Sequence, residues 1–279
     1  MNNIKLVATD LDGTFLKNDR SISPGNLEAL HLLGNKNIIR VVATGRNLRK
    51  VSEVIHHQVP FDFIVYSSGA GVFNWKEQKH IFKQNMNEES AEKLMSHFIR
   101  RKYGFYVFGP APLNHNLWYH KGENECSEFN LYLSFHKTHA KPLPPDGKIN
   151  GGICQFMLPI AEDEAAFSEL KTEIESICNE IRVIRSSSPV TKGYIWVEVF
   201  HKMVSKANGV RQICNILDIN QDDTCGIGND YNDLDLLEFT RYSFITGNAP
   251  YNINDRFIAV PSNEEDGFAA AVRPLINNK

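Results

Sequence analysis

Short apolar segments rich in β-branched residues alternate with segments of helical periodicity near the start of the chain. The apolar segments are residues 4–9, 38–43 and 63–66, and the segments between them place leucine and valine three residues apart. Each helix in such an alternation returns the chain to the edge where the next strand begins, so the strands run parallel. The sequence therefore predicts an α/β fold whose core is a parallel sheet covered by helices.

The middle of the chain has a different pattern. Two amphipathic helices are predicted at residues 88–102 and 162–179, among short strands whose spacing suggests antiparallel pairing. The stretch between residues 108 and 153 is predicted to be irregular, because it is rich in histidine, proline, asparagine and aromatic residues. Helices combined with antiparallel strands are typical of an α+β domain.

The alternation of strand and helix returns after Ser205 and continues to the end of the chain. The first and last thirds are therefore expected to form one sheet, which the middle third interrupts. We predict a Rossmann-like parallel-sheet core at residues 1–84 and 191–279. An inserted α+β domain is predicted at residues 85–190.

Composition and charge exclude several classes of protein. The chain has 279 residues, of which 42% are hydrophobic and 23% charged, and this balance argues against a disordered protein. No segment approaches the roughly 18 uncharged apolar residues that a membrane-spanning helix needs. A net charge of −3 gives no overall field for nucleic acid, and five scattered cysteines argue against a disulfide framework or a zinc site. The N-terminus lacks the pattern of a signal peptide, so a cytoplasmic protein without nucleic-acid or membrane partners is expected.

Clusters of polar residues follow the predicted strands at the points where the strands end. In open α/β sheets, ligands bind outside the carboxyl ends of the strands. Taken singly, each cluster is better explained by a turn, a strand end or a solvated lysine, but four together at one edge favour a binding site. The four clusters are Asp10-Leu11-Asp12-Gly13-Thr14, Thr44-Gly45-Arg46, Lys206 and Gly228-Asn229-Asp230-Tyr231-Asn232-Asp233.

The residue types in these clusters suit phosphoryl transfer. Crowded carboxylates repel one another unless a cation joins them, and hard oxygen ligands suit Mg²⁺. One carboxylate can act as a nucleophile and form an aspartyl-phosphate. A second carboxylate two residues further along an extended chain lies on the same side and can transfer the proton. A lysine, a threonine hydroxyl and backbone N–H groups can hold the phosphoryl oxygens.

The four clusters resemble the four motifs of the haloacid dehalogenase-like phosphohydrolases. The interval from Asp10 to Thr44 is too short for a cap domain, whereas the interval from Thr44 to Lys206 holds a strand and a large cap, as in the Cof-type sugar-phosphatase branch. The resemblance implies a Mg²⁺-dependent phosphomonoester hydrolase that acts on a small phosphorylated metabolite through an aspartyl-phosphate intermediate. A sugar phosphate is the expected substrate class, and residues 85–190 are expected to form a cap that selects it.

The resemblance also implies a role for individual residues. Asp10 is expected to be the nucleophile and Asp12 the general acid and base, with the Asp12 backbone carbonyl on the metal. Asp233 is expected to orient Lys206 or a metal-bound water, and Arg46 to support the site. The expected phosphate contacts are the Leu11 N–H group, Thr44, the Gly45 N–H group, Lys206 and Asn232. The expected Mg²⁺ ligands are Asp10, Asp12, Asn229 and Asp230.

The sequence departs from the family pattern at two places. The fourth motif usually begins Gly-Asp, but here Asn229 follows the glycine, and an amide oxygen offers Mg²⁺ a ligand without negative charge. The neighbouring Asp230 is expected to compensate directly or through water. After the third strand the family often has Asn-Gly-Ala, where this chain has Ser68-Gly69-Ala70. That change affects a hydrogen bond on the substrate side or toward the cap rather than the chemistry.

Two other functions are consistent with the same residues. A phosphomutase or phosphotransferase shares the aspartyl-phosphate but passes the phosphoryl group to a second hydroxyl instead of water. A catalytically silent, phosphate-binding regulatory protein keeps the fold, and Asn229 weakly favours this alternative. The joint presence of Asp10, Asp12, Thr44 and Lys206 argues against it. The sequence carries no signal for the oligomeric state.

Overall fold

A computed structural model of the chain describes residues 4–123, 126–149 and 151–277. The chain divides into two compact units, the first formed by Met1–Lys83 with Ser205–Lys279 and the second by Gln84–Val204. No helix within the described ranges is long and apolar enough to cross a membrane.

The first segment of the first unit alternates strands with helices. Its first helix begins where the Ser23 hydroxyl accepts the Asn26 N–H group, and Pro24 takes the first helical position, where a missing N–H costs nothing. The elements are β1 (Leu6–Thr9), α1 (Pro24–Asn35), β2 (Ile39–Ala43), α2 (Leu48–Ser52), β3 (Phe63–Tyr66), β4 (Gly71–Asn74) and β5 (Lys79–Lys83).

The second unit combines helices with mostly antiparallel strands. Its first helix is capped by Asn87, whose side chain accepts the Ser90 N–H group at 2.7 Å. The elements are α3 (Glu88–Arg100), β6 (Phe105–Phe108), β7 (Leu117–His120), α4 (Ser127–Phe135), β8 (Ala140–Pro142), β9 (Gln155–Ala161), α5 (Glu164–Glu175), β10 (Ile181–Ser187) and β11 (Tyr194–His201).

The stretch between residues 108 and 153 contains β7, α4 and β8, so the expectation that it is irregular is wrong. Contacts with a strand distant in sequence hold α4. The Phe129 ring stacks on Tyr106 with ring centroids 4.6 Å apart, and the Tyr106 hydroxyl donates to Phe129 O at 2.6 Å. Tertiary packing rather than the local pattern therefore stabilises this helix.

The last segment returns to the first unit and resumes the alternation. Ser205 caps its first helix by accepting the Asn208 N–H group at 3.0 Å. The elements are α6 (Lys206–Leu217), β12 (Thr224–Gly228), α7 (Leu234–Phe239), β13 (Tyr242–Thr246), α8 (Tyr251–Asn254), β14 (Ile258–Val260) and α9 (Gly267–Asn277).

The first unit contains an eight-stranded sheet in the order β14-β13-β12-β1-β2-β3-β4-β5. Neighbours from β14 to β3 are parallel, and β4 and β5 continue the sheet antiparallel. All residues of β1 are buried, and Leu6 packs in one core cluster with Val41, Val65 and Val210. The predicted α/β fold with a parallel sheet is confirmed. The carboxyl ends of β12, β1 and β2 lie side by side.

The second unit has its own six-stranded sheet in the order β10-β11-β9-β6-β7-β8. On one face of this sheet, the Phe98 ring of α3 packs edge-on against Phe156 of β9. Strand β11 pairs antiparallel with both β9 and β10, so it belongs to this unit. The expected boundary after residue 190 therefore lies too early, because the chain returns to the first unit only at Ser205.

Candidate active site

Backbone pairing places two of the predicted clusters at one edge of the first unit's sheet. Asp10 directly follows β1, and its N–H group donates to Ile227 O on β12 at 2.8 Å. Thr44 follows β2, and its N–H group donates to Val65 O on β3 at 2.9 Å. Both residues therefore stand at the carboxyl ends of adjacent parallel strands, where α/β sheets bind ligands.

A buried lysine joins two of the predicted carboxylates. Lys206 is the first residue of α6, and its Nζ donates to Asp10 Oδ1 at 2.7 Å and to Asp233 Oδ1 at 2.5 Å. The same Nζ lies 3.4 Å from Asn232 Oδ1. The side chains of Lys206 and Asp233 are fully buried, and that of Asp10 is nearly so. The structure thus brings together four residues that the sequence placed in three separate clusters.

Burial and neighbouring charges shift the pKa values of this group. Burial raises the pKa of Asp10 to about 8, with Lys206 lowering it and the charges of Asp233 and Asp12 raising it further. Burial alone lowers the pKa of Lys206, but the carboxylates of Asp10 and Asp233 outweigh burial and raise it. The lysine therefore stays protonated. Two buried carboxyl groups share one ammonium group, and a further cation beside Asp10 would favour its ionised form.

Asp12 and Arg46 form a second charged pair. Both carboxylate oxygens of Asp12 accept hydrogen bonds from the Arg46 guanidinium group. The Arg46 N–H group in turn donates to Thr44 Oγ1 at 3.1 Å, which closes a tight turn after β2. The first two clusters are therefore joined by an ion pair, and the two acids of the first cluster have different cationic partners.

Asp233 organises the fourth cluster through its second carboxylate oxygen. Its Oδ2 accepts the N–H groups of Asn229 at 2.9 Å and of Asp230 at 3.0 Å. Asp230 and Asp233 form a capping box, in which each side chain accepts the other residue's backbone N–H group. The carboxylate of Asp230 is therefore engaged with the backbone of its own loop.

Two further predicted phosphate contacts rest on backbone N–H groups. The side chain of Leu11 is fully buried, and its carbonyl accepts the Leu16 N–H group at 2.9 Å. Gly45 is exposed, and a Cβ built on it lies 3.9 Å from Asn232 Nδ2. The second and fourth clusters thus approach each other at Gly45.

The comparison with known protein families agrees with this geometry. A family model described as haloacid dehalogenase-like hydrolase matches residues 7–272. The chain belongs to this family. The family match, together with relatives and structural neighbours named as phosphatases, identifies it as an enzyme of the phosphatase type. The resemblance inferred from the four clusters is confirmed.

Individual relatives of this haloacid dehalogenase-like hydrolase align over nearly their whole length. The 5-amino-6-(5-phospho-D-ribitylamino)uracil phosphatase YwtE of Bacillus subtilis is 21% identical over 293 residues, which covers 99% of each chain. The solved structure of BT1666 from Bacteroides thetaiotaomicron has a TM-score of 0.79 at 18% identity and covers 98% of this chain and 95% of that chain. The subclass IIB sugar phosphatase BT4131 has a TM-score of 0.76 at 20% identity and covers 97% of this chain and 98% of that chain. These structural matches show the shared fold.

Asn229 is the residue at which this haloacid dehalogenase-like hydrolase departs from the fourth family motif. In one orientation of its amide group, the oxygen accepts the Thr14 hydroxyl at 3.0 Å. In the flipped orientation, the amide nitrogen donates to Asp12 O at 3.0 Å and to Asp10 Oδ2 at 3.3 Å. The end of the Asn229 side chain therefore lies among oxygen atoms of the first cluster.

Thr246 and Asn248 support the first cluster, although the sequence pattern assigns them no role. Thr246 Oγ1 and Asn248 Nδ2 donate to Gly13 O at 3.3 Å and 2.9 Å. Gly13 has a φ of +73°, and a Cβ there lies 2.6 Å from Asn229 Nδ2, so the position requires glycine. The sequence could have indicated this role, because Thr246 is the last residue of β13. That strand lies beside β12, so Thr246 stands at the same edge of the sheet as the first cluster.

Proposed function

We propose that this protein is a Mg²⁺-dependent phosphomonoester hydrolase that acts on a small phosphorylated metabolite through an aspartyl-phosphate intermediate. The observation that carries the proposal is the buried contact of 2.7 Å between Asp10 Oδ1 and Lys206 Nζ at the end of β1. A carboxylate suited to nucleophilic attack and a fixed positive charge suited to a phosphoryl group share one site.

Asp10 and Asp12 have different roles in the proposed reaction. An Asp10 oxygen attacks phosphorus, the bond between phosphorus and the ester oxygen breaks, and Asp12 gives a proton to the departing oxygen. Asp12 then accepts a proton from the water that attacks the phosphorus of the aspartyl-phosphate. Inorganic phosphate leaves, and the Asp10 carboxylate is restored.

The phosphoryl oxygens are held by Lys206, the Thr44 hydroxyl, Asn232 and the N–H groups of Leu11 and Gly45. Lys206 supports this role because its raised pKa keeps it positively charged while it is buried. Donors fixed in a buried site lose little by reorganisation, so they stabilise charge that develops during the reaction.

The residues present fit a Mg²⁺ ion. The Asn229 amide group reaches Asp12 O and Asp10 Oδ2, and the burial that raises the pKa of Asp10 disfavours an uncompensated negative charge there. Asp10, the Asp12 carbonyl and Asn229 would hold the ion. Asp230 is the weaker candidate, because its carboxylate is engaged in the capping box. When bound, Mg²⁺ supplies positive charge that offsets the charge of the phosphoryl group.

A sugar phosphate or a related phosphorylated polyol is the proposed substrate class. Two family members support this choice by name: BT4131 is described as a sugar phosphatase, and YwtE acts on a compound with a phosphorylated ribityl chain. We propose that the second unit, Gln84–Val204, selects the substrate. A screen of phosphorylated metabolites for phosphate release tests the class, and equal rates on all compounds would contradict it.

Hydrolysis of p-nitrophenyl phosphate tests the activity. We expect turnover with Mg²⁺ and none after chelation with EDTA, and near-complete loss of turnover in Asp10→Asn and Asp12→Asn. Asp19→Asn is the matched control, because Asp19 is an acid of an exposed turn in the same unit. Normal turnover by Asp10→Asn contradicts the proposal. Transfer to an added sugar rather than to water indicates a phosphotransferase, and absence of turnover with every substrate indicates a silent phosphate-binding protein.

A further inference from the structure

Three consecutive residues after β3 have positive φ angles. Ser67 has a φ of 49°, Ser68 of 55° and Gly69 of 103°. Glycine adopts such angles freely, but serine does so at a cost in free energy. Two adjacent serines in this region therefore form a strained turn. Strain of this kind persists where the surroundings fix it, and it concentrates at ligand sites.

The strained turn is fixed on one side by the second cluster. The Ser67 N–H group donates to Arg46 O at 2.8 Å, and the Ser68 N–H group donates to Thr44 O at 2.9 Å. The turn thus lies directly against the residues that follow β2, which include the proposed phosphate contact Thr44.

On its other side, the strained turn lies against the start of α6. A Cβ on Gly69 lies 2.0 Å from Ser205 O, so the backbone of the turn touches the backbone beside Lys206. Only glycine permits this approach. The strained turn therefore lies between the two proposed phosphate contacts Thr44 and Lys206.

The Ser68 hydroxyl is the chemically unexplained group in this turn. Ser68 is 1% exposed, and its Oγ has no hydrogen-bond partner among the residues that the structure describes. Burial of a hydroxyl without a partner costs free energy, and native proteins contain few such groups. An unsatisfied hydroxyl on a strained backbone points to a ligand that completes its hydrogen bonding.

Gly45 borders the space beside the Ser68 hydroxyl. A Cβ built on Gly45 lies 3.7 Å from Ser68 Oγ and 3.9 Å from Asn232 Nδ2. Because glycine has no side chain, the space beside its Cα is open to a ligand and is bordered by two hydrogen-bond donors. We propose that Ser68 is a further phosphate-binding residue, whose hydroxyl donates together with Asn232 to one phosphoryl oxygen. This inference rests on the proposed phosphatase function.

Inhibition by inorganic phosphate tests the role of Ser68 directly. The inhibition constant is measured against p-nitrophenyl phosphate with Mg²⁺ present, beside the thermal unfolding temperature. In Ser68→Ala we expect the constant to rise about 10- to 100-fold, the effect of losing a hydrogen bond to a charged group. The unfolding temperature is expected not to fall, because the buried hydroxyl has no hydrogen-bond partner among the described residues and its removal relieves the cost of burying it.

Two variants separate the hydroxyl from the backbone strain. Ser67→Ala removes a hydroxyl from an equally buried residue with a similar φ, and we expect its phosphate inhibition constant to stay within about twofold of the parent. Ser68→Gly relieves the strain as well as removing the hydroxyl, and we expect the same rise as in Ser68→Ala with a higher unfolding temperature.

The results also separate this inference from the proposed function. If the parent protein neither turns over the substrate nor binds phosphate, the proposed function fails. If the parent is active and inhibited by phosphate while Ser68→Ala and Ser68→Gly match it, only the role of Ser68 is wrong. An equal rise in Ser67→Ala also overturns that role, since the effect then belongs to the shape of the turn.

Discussion

Arg46 binds both carboxylate oxygens of Asp12: its Nε lies 2.6 Å from Asp12 Oδ2, and its Nη2 lies 2.5 Å from Asp12 Oδ1. Two parallel, charge-assisted hydrogen bonds fix the orientation of a carboxylate more firmly than a single contact with lysine. The proposed general acid and base is therefore positioned by a residue from the neighbouring strand end.

Loss of this pair is expected to slow the reaction. We expect Arg46→Ala to lower kcat about tenfold, on the scale of a charge-assisted pair at a partly exposed site, with KM less affected. Arg49→Ala is the control, because Arg49 is an exposed arginine three residues further along. In an Asp12→Asn background, Arg46→Ala should have little further effect. Additive losses in the double variant would show that Arg46 acts independently of Asp12.

A charge at position 229 is expected to affect both Mg²⁺ binding and the stability of the metal-free protein. In Asn229→Asp we expect the Mg²⁺ concentration for half-maximal turnover to fall about fivefold, corresponding to about 1 kcal/mol from one added charge. The metal-free variant should unfold at a lower temperature than the parent, because the new carboxylate faces Asp12 O and Asp10. Mg²⁺ should then raise its unfolding temperature more than it raises that of the parent.

Asp230→Ala is the companion variant for this measurement. Since the carboxylate of Asp230 belongs to a capping box, we expect a loss of about 1 kcal/mol in the free energy of unfolding and little change in the Mg²⁺ midpoint. A large rise in the Mg²⁺ midpoint for Asp230→Ala, with no change for Asn229→Asp, would assign the metal to Asp230 instead.

Alanine variants of two glycines distinguish the effect of backbone strain from the effect of displacing Asn229. Both Gly13→Ala and Gly193→Ala introduce a side chain at positive φ, which costs about 1–2 kcal/mol of stability. Only Gly13→Ala also moves Asn229, because the new Cβ lies 2.6 Å from Asn229 Nδ2, whereas no atom of the described residues lies within 4 Å of a Cβ built on Gly193. We therefore expect both variants to unfold earlier, but only Gly13→Ala to raise the Mg²⁺ midpoint of turnover. Equal midpoints in the two variants would contradict the placement of Asn229.

Lys206 is expected to matter for stability as well as for phosphate binding. Lys206→Met leaves Asp10 and Asp233 buried without their shared cation, so we expect a loss of about 3–5 kcal/mol in the free energy of unfolding. Adding Asp233→Asn should restore part of that loss, because one buried charge is removed. Lys202→Ala, which removes a half-exposed lysine paired with Glu180, should cost far less. If Lys206→Met is as stable as Lys202→Ala, the buried ion pairs do not hold the site together.

The positions of the main site residues follow from sequence because strand ends determine them. Buried β-branched runs locate the ends of β1 and β2, and these ends locate Asp10 and Thr44 through the hydrogen bonds of the parallel sheet. The position of Lys206 follows from the capping serine before it. Such local signals require no knowledge of distant contacts.

The partners of the charged side chains do not follow from sequence. Several acids of the first and fourth clusters compete for Lys206 and Arg46, and the residue pattern alone does not choose among them. The family resemblance named Lys206 as one of two expected partners of Asp233, but only the folded loops show that Asp12 pairs with Arg46. Helix α4 was missed for a similar reason, since its stability depends on packing against a strand distant in sequence. The short-range sequence pattern determines neither the partners of the charged side chains nor the tertiary contacts of α4.

Acid quenching of the reaction during steady turnover of p-nitrophenyl phosphate, followed by mass spectrometry of peptides, tests the central role of Asp10 most directly. We expect a fraction of the peptide that contains Asp10 to carry the mass of one phosphoryl group, and alkaline hydroxylamine to remove it, as expected of an acyl phosphate. Asp10→Asn should show no such adduct, and the Asp19→Asn control should show it as the parent does. Hydrolysis at the parent rate by Asp10→Asn, or an adduct on another residue, would contradict Asp10 as the nucleophile.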